Sequence, residues 1–352
     1  MNDYRIASIP GDGIGVDVTV EARKVLDAAA AKHGFSLAWN EFDWSCERYT
    51  KAGAMMPDDG VDQLAAFDGI FLGAVGFPGV PDHVSLWGLL IPLRRAFQQY
   101  VNLRPVRLLP GTTSVLAGRS AEELEMVIVR ENSEGEYSAI GGRHNTGRPD
   151  EFVLQESVFT RVGVERIIRY AFELARTRSG RVTSATKSNG LIHSMPFWDE
   201  IFAEVAAGYP DVRAEQCHVD ALAARMVQAP ERLDVVVGSN LFGDILSDLA
   251  AAVTGGLGMA PSGNINPSGE YPSMFEAVHG SAPDIAGQGI ANPVAQILAG
   301  AMMLEHLGET VAAQAIRTAV DEVLTAGTEL TPDLGGTATT TRLGTAVTKA
   351  LH

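Results

Sequence analysis

The chain has 352 residues, 46% hydrophobic and 20% charged, with 27 basic against 43 acidic side chains and a net charge of −16. This is the composition of a globular enzyme or binding protein long enough to split into two lobes. Its acidity argues against wholesale binding to nucleic acid or anionic membrane while leaving room for a local cationic pocket.

The start, MNDYRIASIPGDG, lacks a signal-peptide pattern, no apolar run is long enough to span a bilayer, and Cys46 and Cys217 have neither disulfide nor ligand spacing; together these predict a cytoplasmic protein. Along the chain, apolar runs at 5–9 (RIASI), 69–76 (GIFLGAVG), 125–131 (EMVIVRE), 181–187 (RVTSATK) and 233–239 (LDVVVGS) predict strands. The stretches 16–34 and 162–177 predict helices between them, so the chain reads as α/β with a largely buried sheet. The Gly-rich segment 137–157 predicts a β-hairpin or arm of the kind that serves a subunit contact. From 293 onward the stretches PVAQILAGAMMLEHLG, TVAAQAIRTAVDEVLTAG and TTTRLGTAVTKALH predict consecutive helices. No repeat, low-complexity tract or long linker interrupts the pattern.

The glycines of IPGDGIGVDV suggest a dinucleotide loop, but Gly11, Gly13 and Gly15 give G-x-G-x-G, and no acidic residue closes a clear second strand about 20 positions on. The loop reads as a tight strand-to-helix turn, and the fold is not a Rossmann fold.

Charged residues say more. In LRRAFQQYVNLRP, Arg94 and Arg95 fall at a helix end and Arg104 precedes a proline, while Arg130 ends the buried run VIVREN. Guanidinium forks suit carboxylates, so these arginines outline a pocket for a small polyanion, although surface ion pairs would use the same residues. Lys187 just past a strand and Tyr137 in ENSEGEY are proton carriers if their pKa values are tuned. In GSNLFGDILSDLA, Asp244 and Asp248 stand one turn apart on one helix face, a repulsive pairing that calls for a cation.

Taken in order, IPGDGIG, LRRAFQQYVNLRPV, VIVRENSEGEY, GSNLFGDILSDL and AVHGSAPDIAGQGIANPVAQI resemble the β-decarboxylating dehydrogenases, the isocitrate/3-isopropylmalate dehydrogenase family, over nearly the whole chain. EFDWSCERYTKAGAMMPDDG, VPDHVSLWGLLIPLRR and APSGNINPSGEYPSMFEAVHG are closest to its D-malate/tartrate branch. The resemblance implies an isopropylmalate-dehydrogenase-like fold of two α/β lobes sharing a mixed central sheet. A discontinuous large lobe (1–99 and 258–352) would carry the cofactor, and a small lobe (100–257) the dimer contacts.

The resemblance also implies roles. Arg94, Arg104 and Arg130 would hold the carboxylates of a 2-hydroxy diacid, and Asp220, Asp244 and Asp248 would bind Mg²⁺ or Mn²⁺. Lys187 would take the hydroxyl proton and Tyr137 would protonate C3 after CO₂ leaves. NAD would lie against His279, Gly280, Ser281, Ala282, Pro283, Asp284, Ile285 and Asn292. The Asp284 carboxylate would read the adenosine 2′-hydroxyl and repel a 2′-phosphate, unless it merely caps a turn. The branch suggests a K⁺ requirement. It also implies a homodimer in which Lys187 and Asp220 enter the neighbouring chain's site.

One departure concerns Pro92, which fits a helix leading to Arg94 only if that helix starts near Leu90 or Ile91. Three readings compete: D-malate or tartrate dehydrogenase; 3-isopropylmalate dehydrogenase, whose branched side chain Leu90 and Ile91 could line while Trp87 crowds the mouth; and a non-catalytic metal- or nucleotide-binding relative. The sequence leaves open the preferred diacid, the fate of tartrate, the choice of Mg²⁺ or Mn²⁺, and assembly beyond a dimer.

Overall fold

A computed structural model describes residues 2–351. Twelve strands run in chain order: β1 (Asp3–Gly11), β2 (Ser36–Glu41), β3 (Gly69–Ala74), β4 (Val101–Arg107), β5 (Glu125–Glu131), β6 (Gly141–His144), β7 (Phe152–Gln155), β8 (Arg181–Thr186), β9 (Arg213–His218), β10 (Val235–Gly238), β11 (Pro261–Ile265) and β12 (Ser273–Ala277). Ten of them form one sheet in the order β2-β1-β3-β12-β11-β4-β5-β10-β8-β9. The flanks of this sheet are parallel, and the centre, where β11 pairs with β12 and β4 and β4 pairs with β5, is antiparallel. The fold is therefore α/β with a large mixed sheet, and the antiparallel centre separates it from a Rossmann fold. β6 and β7 form a separate, fully exposed hairpin within the expected arm.

Helices cover both faces of the sheet, which is why β3 and β10 are buried along their whole length and read as continuous apolar runs. Less apolar strands are held by position. β4 contains Pro105, yet β11 pairs only with Val101, Asn102 and Leu103, so the proline lies where β4 has a partner on one side only.

Pro92 is accommodated differently from the expectation. The helix does not start at Leu90 or Ile91. It begins at Asp82 and passes through a π-helical turn, Leu86–Leu90, in which the Ile91 N–H bonds to the carbonyl of Leu86, before continuing as α-helix over Ile91–Ala96. Widening the turn ahead of the ring relieves the clash a proline makes with the preceding turn, and the helix persists to deliver Arg94.

The helix Val294–His306 is buried on nearly every side, between the sheet and the helix Ile14–His33. Such a helix tolerates a polar residue only if both ends of its side chain are satisfied. Gln296 meets that condition: its Nε2 donates to the Leu72 carbonyl of β3 (2.8 Å), and its Oε1 accepts from the Ala277 N–H at the end of β12 (3.1 Å). Replacing Gln296 with Leu orphans both backbone groups. We expect a loss of about 1–3 kcal/mol in denaturant unfolding, with the α/β circular dichroism signal retained at low denaturant.

Candidate active site

Strand alternation selects which residues share a face. Arg104 of β4, Arg130 of β5, Ser262 of β11 and Glu276 of β12 point to one side of the sheet, and with Arg94, Tyr137, Asp244, His279 and Gly280 they line a cavity of about 230 Å³. Its remaining wall is apolar, formed by Val75, Leu86 and Leu90 with Ala74, Ala277 and Val278. Ile91 is buried away from the cavity, and Trp87 does not line it but lies beneath Arg95, whose guanidinium sits 5.3 Å from the indole centre. A larger cavity of about 390 Å³ opens on the opposite face, beside Leu103, Pro105, Val127 and Pro261. There Arg107, Arg178 and Arg317 are each engaged by a carboxylate.

The helix Asn240–Val253 brings Asp244 to this cavity and sets Asp248 one turn further on, within reach of Arg104. Its N-terminus is capped from outside: Glu136 accepts from the Leu241 N–H (3.0 Å) and from the Ser239 hydroxyl (2.7 Å). A carboxylate at a helix N-terminus is favourable, and here it also fixes the loop after β5. The next residue, Tyr137, can then donate its Oη–H to Asp244 Oδ2 at 2.7 Å.

Cations balance the paired carboxylates, and within this chain they are arginines. Arg130 Nη1 binds Asp244 Oδ1, and Arg104 Nη1 lies 3.3 Å from Asp244 and 3.4 Å from Asp248. Both guanidiniums are pinned further, Arg130 by Asn240 Oδ1 (2.7 and 3.1 Å) and Arg104 by Asn102 Oδ1 (2.6 Å) and Ser247 Oγ (2.7 Å). Burial works to raise the Asp244 carboxyl, but the charges of Arg130 and Arg104 prevail and hold it below the ordinary carboxylate range. At Asp248 desolvation dominates, Arg104 offsets it only in part, and the like charge of Asp244 adds to it, so that carboxyl is raised. Tyr137 is raised by burial and then by its bond to Asp244, so it stays protonated at neutral pH. Burial, reinforced by the charge of Arg104, lowers Arg130 to about 10.

The remaining expected residues lie elsewhere. Lys187, directly after β8, pairs with Asp220 in the helix Val219–Gln228 (Nζ–Oδ1 2.7 Å), and neither lines the cavity. Among the described residues no three His, Cys, Asp or Glu side chains converge as a metal site, so Asp220 does not join Asp244 and Asp248 within one chain.

Segment 279–287 packs on the Gly-rich turn. Ile14 N–H donates to the Ser281 carbonyl (2.8 Å), and Gly287 N–H to Asp17 (3.0 Å). Gly13 has φ +57°, and a Cβ there would stand 2.1 Å from the Ser281 oxygen, so only glycine permits the contact. In the same turn Asp12 accepts from the N–H groups of Cys46 (2.9 Å) and Gly76 (3.1 Å). Within the segment, burial lowers the His279 imidazole, Ala282 has φ +37°, and Pro283 and Asp284 are exposed. Asn292 is buried and accepts from the Val294 N–H (3.0 Å) at the start of the next helix.

Sequence reasoning missed Glu136, Asn102, Asn132, Asn264 and Glu276. The signal available was Asn inside two strands, at NLRP and GNI, where β structure disfavours it.

A family model described as isocitrate/isopropylmalate dehydrogenase matches residues 5–348. The chain is 55% identical over 359 residues to the decarboxylating D-malate dehydrogenase of Escherichia coli (strain K12), covering 100% of this chain and 99% of that protein. It is 52% identical to the tartrate dehydrogenase/decarboxylase of Pseudomonas putida, over 99% and 98% of the two chains. The crystal structure of isocitrate dehydrogenase from Methylococcus capsulatus superposes with a TM-score of 0.90 at 39% identity, covering 99% of each chain.

Gly243 is what lets the aspartate helix approach β5, since a Cβ there would lie 2.6 Å from Arg130 Cβ. Gly243→Ala should push the helix outward and break the Arg130–Asp244 alignment. We expect a stability loss of about 1–3 kcal/mol and at least a roughly tenfold fall in turnover, checked by thermal melts alongside kcat.

Proposed function

This chain belongs to the isocitrate/isopropylmalate dehydrogenase family and is a decarboxylating dehydrogenase, and we propose that it oxidises a small 2-hydroxy dicarboxylic acid, D-malate or tartrate, with NAD and a divalent metal, releasing CO₂. The observation that carries this reading is the convergence of three buried guanidiniums, Arg94, Arg104 and Arg130, on a cavity of about 230 Å³, in a chain whose net charge is −16. Buried arginines aimed at a small space recognise a compact polyanion, and planar forks recognise carboxylates.

We take residues 1–99 with 258–352 as the cofactor lobe and 100–257 as the lobe of subunit contacts. Apolar side chains stand exposed on the arm (Ile140, Val153, Leu154), on the helix Arg161–Arg176 that follows it (Val162) and, at Ile245, between the two aspartates. A second copy covering that surface could bring its own Lys187 and Asp220 to the cavity, making two equivalent composite sites.

The donor set suits a hard cation: Asp244 and Asp248 offer oxygens one turn apart, and Asp220 of a second copy would add a third carboxylate. Bound there, Mg²⁺ or Mn²⁺ would supply Lewis-acid stabilisation of negative charge on the substrate oxygen at C2. The chain's own groups do the rest. The arginines orient the diacid, Lys187 of the second copy accepts the hydroxyl proton as hydride leaves C2, and Tyr137, protonated at neutral pH, delivers a proton to C3 after CO₂ departs. On the cofactor side, segment 279–287 would receive NAD, with the exposed Asp284 carboxylate reading the 2′-hydroxyl. A second reading has one observation in its favour: the apolar wall of Val75, Leu86 and Leu90 could hold the branched side chain of 3-isopropylmalate.

Purified protein should be assayed for reduced-cofactor formation and CO₂ release with D-malate, the tartrates and 3-isopropylmalate, using NAD or NADP, with and without K⁺. The highest kcat/KM is expected for D-malate or a tartrate with NAD. Chelation should abolish turnover and added Mg²⁺ or Mn²⁺ restore it. Preference for 3-isopropylmalate would move the assignment to the branched diacid. Preference for NADP would refute the role of Asp284, and full activity after exhaustive chelation would refute the metal.

A further inference from the structure

Two of the substrate-facing arginines are joined beneath the cavity by a chain of side chains that the proposed reaction does not use. Asn102 and Asn264 are fully buried and stand directly opposite each other where β4 meets β11. Arg104 Nε donates to Asn102 Oδ1 (2.6 Å), Asn102 Nδ2 to Asn264 Oδ1 (2.9 Å), and Asn264 Nδ2 to Glu276 Oε1 (2.7 Å). Arg94 Nη2 donates to the same Glu276 oxygen from the far end (3.1 Å). Asn132 Nδ2 supplies a second donor to Asn264 Oδ1 at 2.8 Å.

The direction of this chain is forced. A guanidinium can only donate and a carboxylate can only accept, so Asn102 must turn its oxygen to Arg104, and Asn264 must turn its nitrogen to Glu276. At neutral pH an amide at 264 is the only side chain of its shape that accepts on one side and donates on the other. Burial strengthens the Asn102–Asn264 link most, because both amides are fully buried and no water can replace a lost partner there.

We propose that Asn264 is a positioning residue that sets the separation of Arg94 and Arg104, and so the spacing at which the two carboxylates of the substrate are held. The inference rests on the proposed role of those arginines. It assigns Asn264 no contact with substrate; it acts through Glu276 on one arginine and through Asn102 on the other.

Asn264→Asp tests this, because it keeps shape and the acceptor for Asn102 and Asn132 but turns the donor facing Glu276 into a second carboxylate oxygen. At neutral pH the link should open, and KM for the diacid should rise roughly tenfold or more with a smaller change in kcat. Two carboxylates so placed share a proton at a raised pKa. On lowering the pH from about 8.5 to about 6 the shared proton should rebuild a donor–acceptor link, and the ratio of variant to wild-type KM should fall toward one. Asn264→Ala, which cannot be rebuilt, should show a raised ratio at every pH.

A variant KM equal to wild type at high pH would overturn the proposal. So would a raised ratio that ignores pH in Asn264→Asp, since simple packing damage behaves that way. If wild type turned over none of these diacids, the functional reading would fall. The thermal shift given by succinate to wild type and Asn264→Asp would then decide this inference separately, with equal shifts at high pH counting against it.

Discussion

A guanidinium in the middle of a sheet must be neutralised and hydrogen-bonded, and Arg104 is 8% exposed in the central strand β4. Its Nη1 reaches Asp244, Asp248 and Ser247 on one helix, and its Nε reaches Asn102 on its own strand. That requirement explains the close approach of the helix Asn240–Val253, the glycine at its contact with Arg130, and the outside cap from Glu136. It also explains how two like charges at adjacent turns are tolerated before any metal is considered. The same arginines that would hold a diacid keep Asp244 ionised in place, so the polar floor of the cavity is preorganised rather than assembled on binding.

The parts of the fold that could be read from sequence are those where burial writes itself into residue type. β3, β5 and β10 are buried on both faces and appear as apolar runs, as does the enclosed helix Val294–His306, while the last two helices show a one-sided apolar pattern. β4 and β11 did not appear, because NLRP and PSGNI spend their inward positions on Arg, Asn and Ser, which satisfy one another across the seam. No local pattern reports a bond between residues 102 and 264, or between 94 and 276, since the partners meet only when the sheet closes. Pro92 misled for a similar reason: a π turn is a backbone solution that leaves no compositional mark.

At the site, residue type singled out side chains that the structure brings together only in part. Arg94, Arg104, Arg130, Tyr137 and Asp244 come together around one cavity, as their types suggested. Asp248 joins them through Arg104, but Lys187 and Asp220 pair with each other away from it. On our account that separation marks an active site shared between two copies of the chain, with the aspartate helix and arginines from one and the lysine and third aspartate from the other.

Subunit mixing tests that claim most directly. Lys187→Ala and Asp248→Ala chains should each be inactive, and after exchange half the dimers are mixed, each with one intact site and one carrying both defects. Activity should recover to about one quarter of wild type if the sites act independently, whereas Lys187→Ala mixed with Asp220→Ala should recover none. Absence of recovery in the first mixture despite demonstrated exchange, or recovery in the second, would contradict the shared site.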